Sequence, residues 1–304
     1  MARIAVITDD PGWHGKRLKD ALKIKGHEAV FLSLTECALI IEDSQLPIRM
    51  KGFEDRLPEG VFVRGIPGGS LEQVTFYLDV LHGLELLGIT VYNGARAIER
   101  TVDKAMTSFM LQQAGIPTPA AWVSRDEVQA LALVEREINA GHGVVQKPLF
   151  GSQGIGLRRY QQRDELKGFS DDQGVFYLQR YVDSGDSTHD FRVFVIGGKA
   201  VAAMRRSGVS WLNNVHQGGL CEAVHLDDIR LSRLAEDAVA VLEMAYAGVD
   251  IIRDRHGRYF ILEVNSIPAW KGLQTVAPIA VAERLVDDFL SRTAHQAAKS
   301  QRTG

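Results

Sequence analysis

The 304-residue chain has little cysteine, little net charge and no long apolar run, and each shortage excludes a class of protein. Its two cysteines, Cys37 and Cys221, stand far apart without metal-ligand spacing. With so few, a reducing compartment is the simpler reading. Lys and Arg number 35 against 38 Asp and Glu, a net charge of −3 that gives no broad electrostatic case for nucleic acid. No apolar stretch is long enough to span a bilayer, and "MARIAVITDD" reaches acid too soon for a signal peptide or an anchor. The expectation is a cytoplasmic protein with neither a membrane nor a nucleic acid as partner. "VITDDPGWHG", after the first apolar run, lacks the dinucleotide fingerprint, which sets aside a Rossmann-type dehydrogenase. No Ser/His/Asp arrangement is visible.

The apolar and charged fractions, 45% and 24%, are those of an ordinary globular protein, and the length suits two or three subdomains. Residues 1–95 alternate strand and helix ("RIAVITDD", "KRLKDALKIKG", "HEAVFLSL", "GVFVRGIPGG", "LEQVTFYLDVLHGLELLG", "ITVYNGA"), which predicts a small parallel sheet with helices against it. Residues 96–185 read as a smaller α+β unit, with a helix in "VDKAMTSFMLQQAG" and strands around "VVQK" and "VFYLQRYV". Residues 186–295 hold a hairpin turned by Gly197-Gly198, a helix from about Asp228 to Met244, a second strand pair and a closing helix. Residues 296–304 are polar and are expected to fray.

Two stretches carry chemistry. "QKPLFGSQGIGL" places Gly151, Gly154 and Gly156 in one loop, where glycine lets backbone N–H groups approach phosphate. It is not a P-loop, because no Lys-Ser/Thr follows, but Lys147 precedes it at a strand end within reach of the same phosphates. A plain hairpin turn with a surface lysine is the alternative. "AGVDIIRD" and "RYFILEVN" are apolar strands joined by a short turn, so they should pair antiparallel and gather Asp250, Glu263 and Asn265. Clustered oxygen ligands at the end of a buried strand suit Mg²⁺. A capped strand end with one salt bridge to an arginine is the competing explanation.

In this order, the stretches "RTVDKAMTSFMLQQAGIPTP", "VVQKPLFGSQGIGL", "LQRYV", "HDFRVFVIGGKAVAAMRR", "NNVHQGG", "AGVDI" and "LEVNSIP" resemble the ATP-grasp superfamily, and within it the RimK-like amino-acid ligases. The resemblance spans nearly the whole chain. It implies an α/β and α+β architecture of three subdomains, an N-terminal domain and two α+β lobes with the nucleotide between them. It also implies ATP and Mg²⁺ (or Mn²⁺) as cofactors. Lys104 and Lys147 would contact the ATP phosphates. Gly151, Ser152, Gln153, Gly154 and Gly156 would belong to the lid over them. Gln179, Arg180, Tyr181 and Val182 would form the hinge whose backbone meets adenine, and Asp250, Glu263 and Asn265 would hold the metal. Arg192 and Arg206 would join Lys147 as catalytic residues at the phosphoryl group and the reacting carboxylate, with Asn214 and His216 on the same rim. For Arg192 the bland reading is a salt bridge to Asp190.

Two departures from the family pattern stand out. Arg180 replaces the usual hinge acid, and "PAWKGL" sets Trp270 and Lys271 beside the site, where they either meet substrate or pack and solvate. Trp211 carries the same ambiguity. The implied reaction activates a carboxylate as an acylphosphate, which an amine attacks. The implied donor is L-glutamate and the acceptor an unidentified coenzyme amine or peptide tail, with a homo-oligomer expected. Another ATP-grasp ligase, or an ATP-binding regulatory module, is the rival.

Overall fold

The computed structural model describes residues 2–151, 155–170, 174–185, 189–208 and 220–303. Ser152, Gln153, Gly154, Trp211, Asn214 and His216 lie outside them. From the N-terminus the chain runs β1 (Arg3–Ile7), α1 (Gly12–Ile24), β2 (Glu28–Leu32), a short pair β3 (Cys37–Leu39) and β4 (Ile48–Met50), β5 (Gly60–Val63), α2 (Leu71–Leu86) and β6 (Thr90–Tyr92). The larger sheet here has order β2-β1-β5-β6, all parallel. This matches the alternation in the sequence, although the β3–β4 ribbon carries no sequence signal strong enough to read.

Next come α3 (Ala95–Val102), α4 (Lys104–Gln113), β7 (Ala121–Ser124), α5 (Glu127–Asn139), β8 (Val144–Lys147), β9 (Arg158–Tyr160) and β10 (Phe176–Arg180). The four strands form an antiparallel sheet of order β7-β10-β8-β9. The expected helix from Val102 begins instead at Lys104. Asp103 breaks the chain from α3 and caps α4, accepting from the N–H groups of Ala105 at 2.8 Å and Met106 at 3.1 Å.

The last sheet, β13-β12-β11-β14-β15, uses β11 (His189–Ile196), β12 (Lys199–Ser207), β13 (Leu220–Val224), β14 (Tyr246–Arg253) and β15 (Tyr259–Asn265). Gly197 and Gly198, at φ 58° and 76°, turn the β11–β12 hairpin in the left-handed region that glycine tolerates. α6 (Ile229–Val241) packs on this sheet through Leu231, Ala235, Ala238 and Val239. A single turn α7 (Lys271–Gln274) leads to α8 (Val281–Thr303).

α8 corrects the expectation of a frayed tail, since its backbone stays helical to Thr303. Its apolar stripe, Leu285, Val286 and Phe289, closes one core with Ile4, Leu18, Phe62 and Tyr92 of the parallel sheet and Phe194, Met204 and Tyr246 of the five-stranded sheet. Each such side chain contributes about 1.5–3 kcal/mol on burial. Asn93, fully buried after β6, donates to the carbonyls of Tyr246 (2.7 Å) and Ser266 (2.8 Å) and accepts from the N–H of Ala245 (2.7 Å). Four-stranded sheet and α5 have their own smaller core, built on Val134, Val144, Phe169, Phe176 and Leu178. Two sheets are thus fused into one body, and the third is a separate lobe facing it.

Candidate active site

The register of the five-stranded sheet sets the charges. Asp250 lies directly across from Glu263 on β15, with Gly248 across from Asn265. On the other side of β14, Asp250 lies across from Arg192 on β11, and one strand further Asp190 lies across from Arg206 on β12. Alternate residues share a face, so Asp190, Arg192, Arg206, Asp250 and Glu263 form one row.

Arg192 grips Asp250 through both carboxylate oxygens, at 2.7 and 2.8 Å, and Arg206 grips Asp190 likewise, at 2.7 Å each. Arg206 also reaches Asp250 at 2.9 Å. The bland reading of Arg192 therefore had the wrong partner, Asp250 rather than Asp190. Arg206, Asp190 and Asp250 are only 6–7% exposed. Bidentate pairing is what makes such burial tolerable, because an isolated buried charge costs far more. Burial pushes the Asp190 carboxyl up to about 6 despite Arg206, whereas at Asp250 two guanidiniums overcome burial and hold it at about 2. The remaining terminal nitrogen of each guanidinium makes no hydrogen bond among the described residues.

Glu263 is different. It is half-buried and accepts no hydrogen bond among the described residues, while Lys104 and Lys147 face it. Lys104, placed by the Asp103 cap, donates to the carbonyl oxygens of Gly151 at 2.7 Å and Leu149 at 3.3 Å. Burial lowers its pKa against the pull of Glu263 and Asp103. Lys147, the last residue of β8, is brought down to about 8 by burial, with Lys104 adding and Glu263 opposing. Gly151 (φ +143°) and Gly156 (φ +78°) both sit where only glycine is at ease, and a Cβ on Gly156 would meet the Pro148 ring at 2.9 Å.

The donor set fits a hard divalent cation. Asp250 and Glu263 are cross-strand partners, and Asn265 Oδ1 accepts only from the Ile267 N–H at 2.9 Å, which leaves a lone pair. Asp250 Oδ1 keeps one as well, having Arg192 alone as donor. Among the described residues no three His, Cys, Asp or Glu side chains gather around a metal position, so two carboxylates and one amide oxygen are what this site offers. Mg²⁺ suits that, since it retains waters and takes oxygens from phosphates.

In the hinge, the Arg180 and Tyr181 N–H groups are already used, on Ala120 O and Gly143 O at 2.8 Å each. Val182 is the first hinge residue whose N–H has no backbone partner among the described residues. Arg180 turns its side chain away, pairing through Nε (2.9 Å) and a terminal nitrogen (2.7 Å) with Glu137 of α5, which is 4% exposed. The departure at this position is therefore a brace between β10 and α5. Gln179 donates to the Tyr177 hydroxyl at 3.3 Å, and Tyr177 meets Ser108 of α4 at 2.7 Å. A narrow cleft behind the hinge is lined by Lys104, Ser108, Thr118, Tyr177, Leu262 and Glu263 among others.

Trp270 corrects the expectation of a substrate contact. It is fully buried, stacked edge-on against His14 at 4.6 Å and Phe194 at 6.3 Å, inside the shared core. Lys271 is exposed at the start of α7. Sequence reasoning missed Asn93, Glu137 and the role of Asp190. Nothing in one sequence marks an asparagine that ties together segments over 150 positions apart.

Three comparisons with known proteins bear on the family and the fold. Residues 101–289 match a model of the RimK-like ATP-grasp domain, and residues 2–98 match one of the RimK pre-ATP-grasp domain. A tetrahydromethanopterin:alpha-L-glutamate ligase of Methanococcus maripaludis is 30% identical, covering 95% of this chain and 98% of that protein. A probable alpha-L-glutamate ligase of Thioalkalivibrio sulfidiphilus is 32% identical, covering 96% of each. Among solved structures, the ATP-grasp ligase PsnB, in complex with a precursor variant, Mg and ADP, superposes with a TM-score of 0.75 at 20% identity. That alignment covers 95% of this chain and 98% of the other and speaks to the fold alone.

Proposed function

The chain belongs to the RimK-like ATP-grasp family, and from that premise we propose an ATP-dependent carboxylate–amine ligase that works through an acylphosphate, with L-glutamate as one substrate. The observation that carries the reading is the Asp250–Glu263 pair opposed by Lys104 and Lys147 across the gap between lobe and body. Four charged groups of both signs converge there, and among the described residues no donor satisfies Glu263.

Lys104 and Lys147 would hold the triphosphate, and the Val182 N–H, without a backbone partner among the described residues, would be open to adenine. Asp250, Glu263 and Asn265 would hold Mg²⁺, which supplies charge neutralisation on the phosphate oxygens when bound. Both lysines lose part of their proton affinity to burial in the free protein, and triphosphate restores it by adding negative charge. Arg192 and Arg206 present fixed positive charge to the reacting carboxylate with little reorganisation, because Asp250 and Asp190 hold them in place. The carboxylate oxygen takes the γ-phosphoryl and ADP departs. The amine then attacks the acyl carbon, the C–O bond to phosphate breaks, and the amine loses a proton as the amide forms. No side-chain nucleophile is required.

The printed names of the relatives support L-glutamate. The acceptor is a coenzyme or a peptide tail, and the burial of Trp270 removes it as an aromatic platform favouring the first. Mass spectrometry of purified protein with ATP, Mg²⁺, L-glutamate and cell extract tests the proposal. A compound heavier by one glutamyl unit, formed with release of ADP, is the expected product. Nucleotide binding without phosphate release, for every amino acid and amine offered, would leave a regulatory ATP-binding module as the better reading.

A further inference from the structure

A second cationic cluster lies where the parallel sheet meets the body, away from the lysines. The sheet order β2-β1-β5-β6 makes the carboxyl ends of β1 and β5 a topological switch point, the place where open α/β sheets leave a crevice. Arg64 follows β5 there, its N–H bonded to Ile7 O at 2.8 Å, and His14 stands in the first turn of α1, just after β1.

Arg64 is half-buried, yet no carboxylate pairs with it among the described residues. One terminal nitrogen donates to Pro268 O at 3.1 Å, and the guanidinium carbon lies 4.5 Å above the Trp270 ring. Its Nε is buried without a hydrogen-bond partner, and so is Nε1 of Trp270. The Tyr246 hydroxyl is the polar group that otherwise approaches this guanidinium from the core, and a buried guanidinium N–H without a hydrogen-bond partner is uncommon in a folded protein and points to an acceptor beyond it. The acids on the same rim are occupied, Asp9 by Ser33 and Asp10 by the Gly12 N–H. Lys271 adds a further positive charge near His14.

The cluster adjoins the reaction site. Pro268, which accepts from Arg64, packs over Gly248 so closely that a Cβ there would lie 2.8 Å from the proline ring. The same Cβ position is 3.7 Å from Cδ of Arg192. Arg64 and Arg192 thus stand on two sides of one proline–glycine contact. A substrate whose reacting group meets Arg192 can present a second group to Arg64.

We infer that Arg64, supported by Lys271 and the Trp270 ring, binds a non-reacting carboxylate of the amino-acid or acceptor substrate. The inference rests on the ligase reading above and assigns it an anchoring residue. Carboxylate is the chemistry that fits, since a guanidinium offers Nε and a terminal nitrogen as a planar fork. The neutral His14 imidazole helps by position: its Nε2 accepts from the Trp270 backbone N–H at 3.1 Å, and its ring meets edge-on the indole on which Arg64 rests.

His14 also provides a readout that needs no turnover. In the free protein burial, Arg64 and Lys271 hold its pKa down at about 4. An anion settling on Arg64 offsets two of these causes, so the His14 midpoint, followed by NMR and assigned with His14→Gln, rises when glutarate or L-glutamate is added. In kinetics, Arg64→Met raises the KM of the dicarboxylate substrate by about tenfold or more, with a smaller change in kcat, and Arg64→Lys recovers part of it. An unchanged KM in a folded, active Arg64→Met protein overturns the inference and leaves the ligase reading standing. If no substrate pair supports turnover, the ligase reading falls, and the NMR titration still decides. A His14 midpoint unmoved by saturating glutarate and L-glutamate overturns the inference too.

Discussion

On the arginine side of the cleft each guanidinium faces a carboxylate, Arg192 on Asp250 and Arg206 on Asp190. On the lysine side Lys104 rests on the carbonyl oxygens of Leu149 and Gly151, and Glu263 accepts no hydrogen bond among the described residues. One half is a closed network fixed by sheet register inside the fused body. The other spans the gap to a lobe with its own core and leaves charge uncompensated. The contrast separates charge that positions from charge that waits for a ligand. Bidentate pairs keep their geometry with or without substrate, whereas buried lysines with depressed pKa values gain most when an anion arrives.

The sharpest way to break the contrast is Glu263→Gln. It removes the cleft carboxylate that accepts no hydrogen bond among the described residues, so ATP-dependent turnover should fall by about a thousandfold. The melting temperature should stay near that of the parent. Arg206→Met attacks the other half and should act first on stability. It strands the buried Asp190, at a cost of about 3 kcal/mol in urea unfolding, and adding Asp190→Asn should return part of that loss. Arg180→Ala, which leaves Glu137 with Arg136 as its remaining arginine partner, should cost about 1 kcal/mol in the same measurement.

Smaller effects follow from protons. Lys147 has its pKa lowered to about 8 in the free protein, and bound triphosphate raises it again. Nucleotide binding then takes up a proton above that pH, so affinity should weaken as pH climbs past about 8. Isothermal titration calorimetry in buffers of different ionisation enthalpy measures this uptake, and Lys147→Met should reduce it to the share that Lys104 contributes. His14 behaves in the opposite window. Its folded pKa, about 4, lies below the ordinary imidazole value of 6.5, so its contribution to stability is present above pH 6.5 and is lost as pH falls toward 4. Thermal melts across that range should show a decline that His14→Gln flattens.

Much of this was legible in the sequence because it depends on short range. Alternation in "FILEVN" places Glu263 and Asn265 on one face, and the short turn before it forces the pairing with Asp250. Glycines 197 and 198 announce the hairpin that carries Arg192 and Arg206. What stayed hidden depends on which strands become neighbours. Arg192 chooses Asp250 over Asp190 only because β11 lies between β12 and β14, an order no local pattern encodes. The same holds for Trp270, whose place in the core is decided by α1 and β11, and for α8, whose partners are spread from β1 to β14. The helix in residues 296–303 was missed because its polar composition alone suggests fraying, while the backbone continues the helix begun by the apolar stripe at Leu285, Val286 and Phe289.

The account's central claim is that nucleotide phosphates and a divalent ion occupy the gap between Lys104 and Lys147 on one side and Asp250 and Glu263 on the other. A crystal structure with Mg²⁺ and a non-hydrolysable ATP analogue tests it directly. The expected result is an ion about 2.1 Å from oxygens of Glu263 and Asn265, with both lysines on the phosphates and adenine at the Val182 N–H. A triphosphate bound elsewhere, with Glu263 free of metal and the lysines still on their own carbonyl groups, would contradict it.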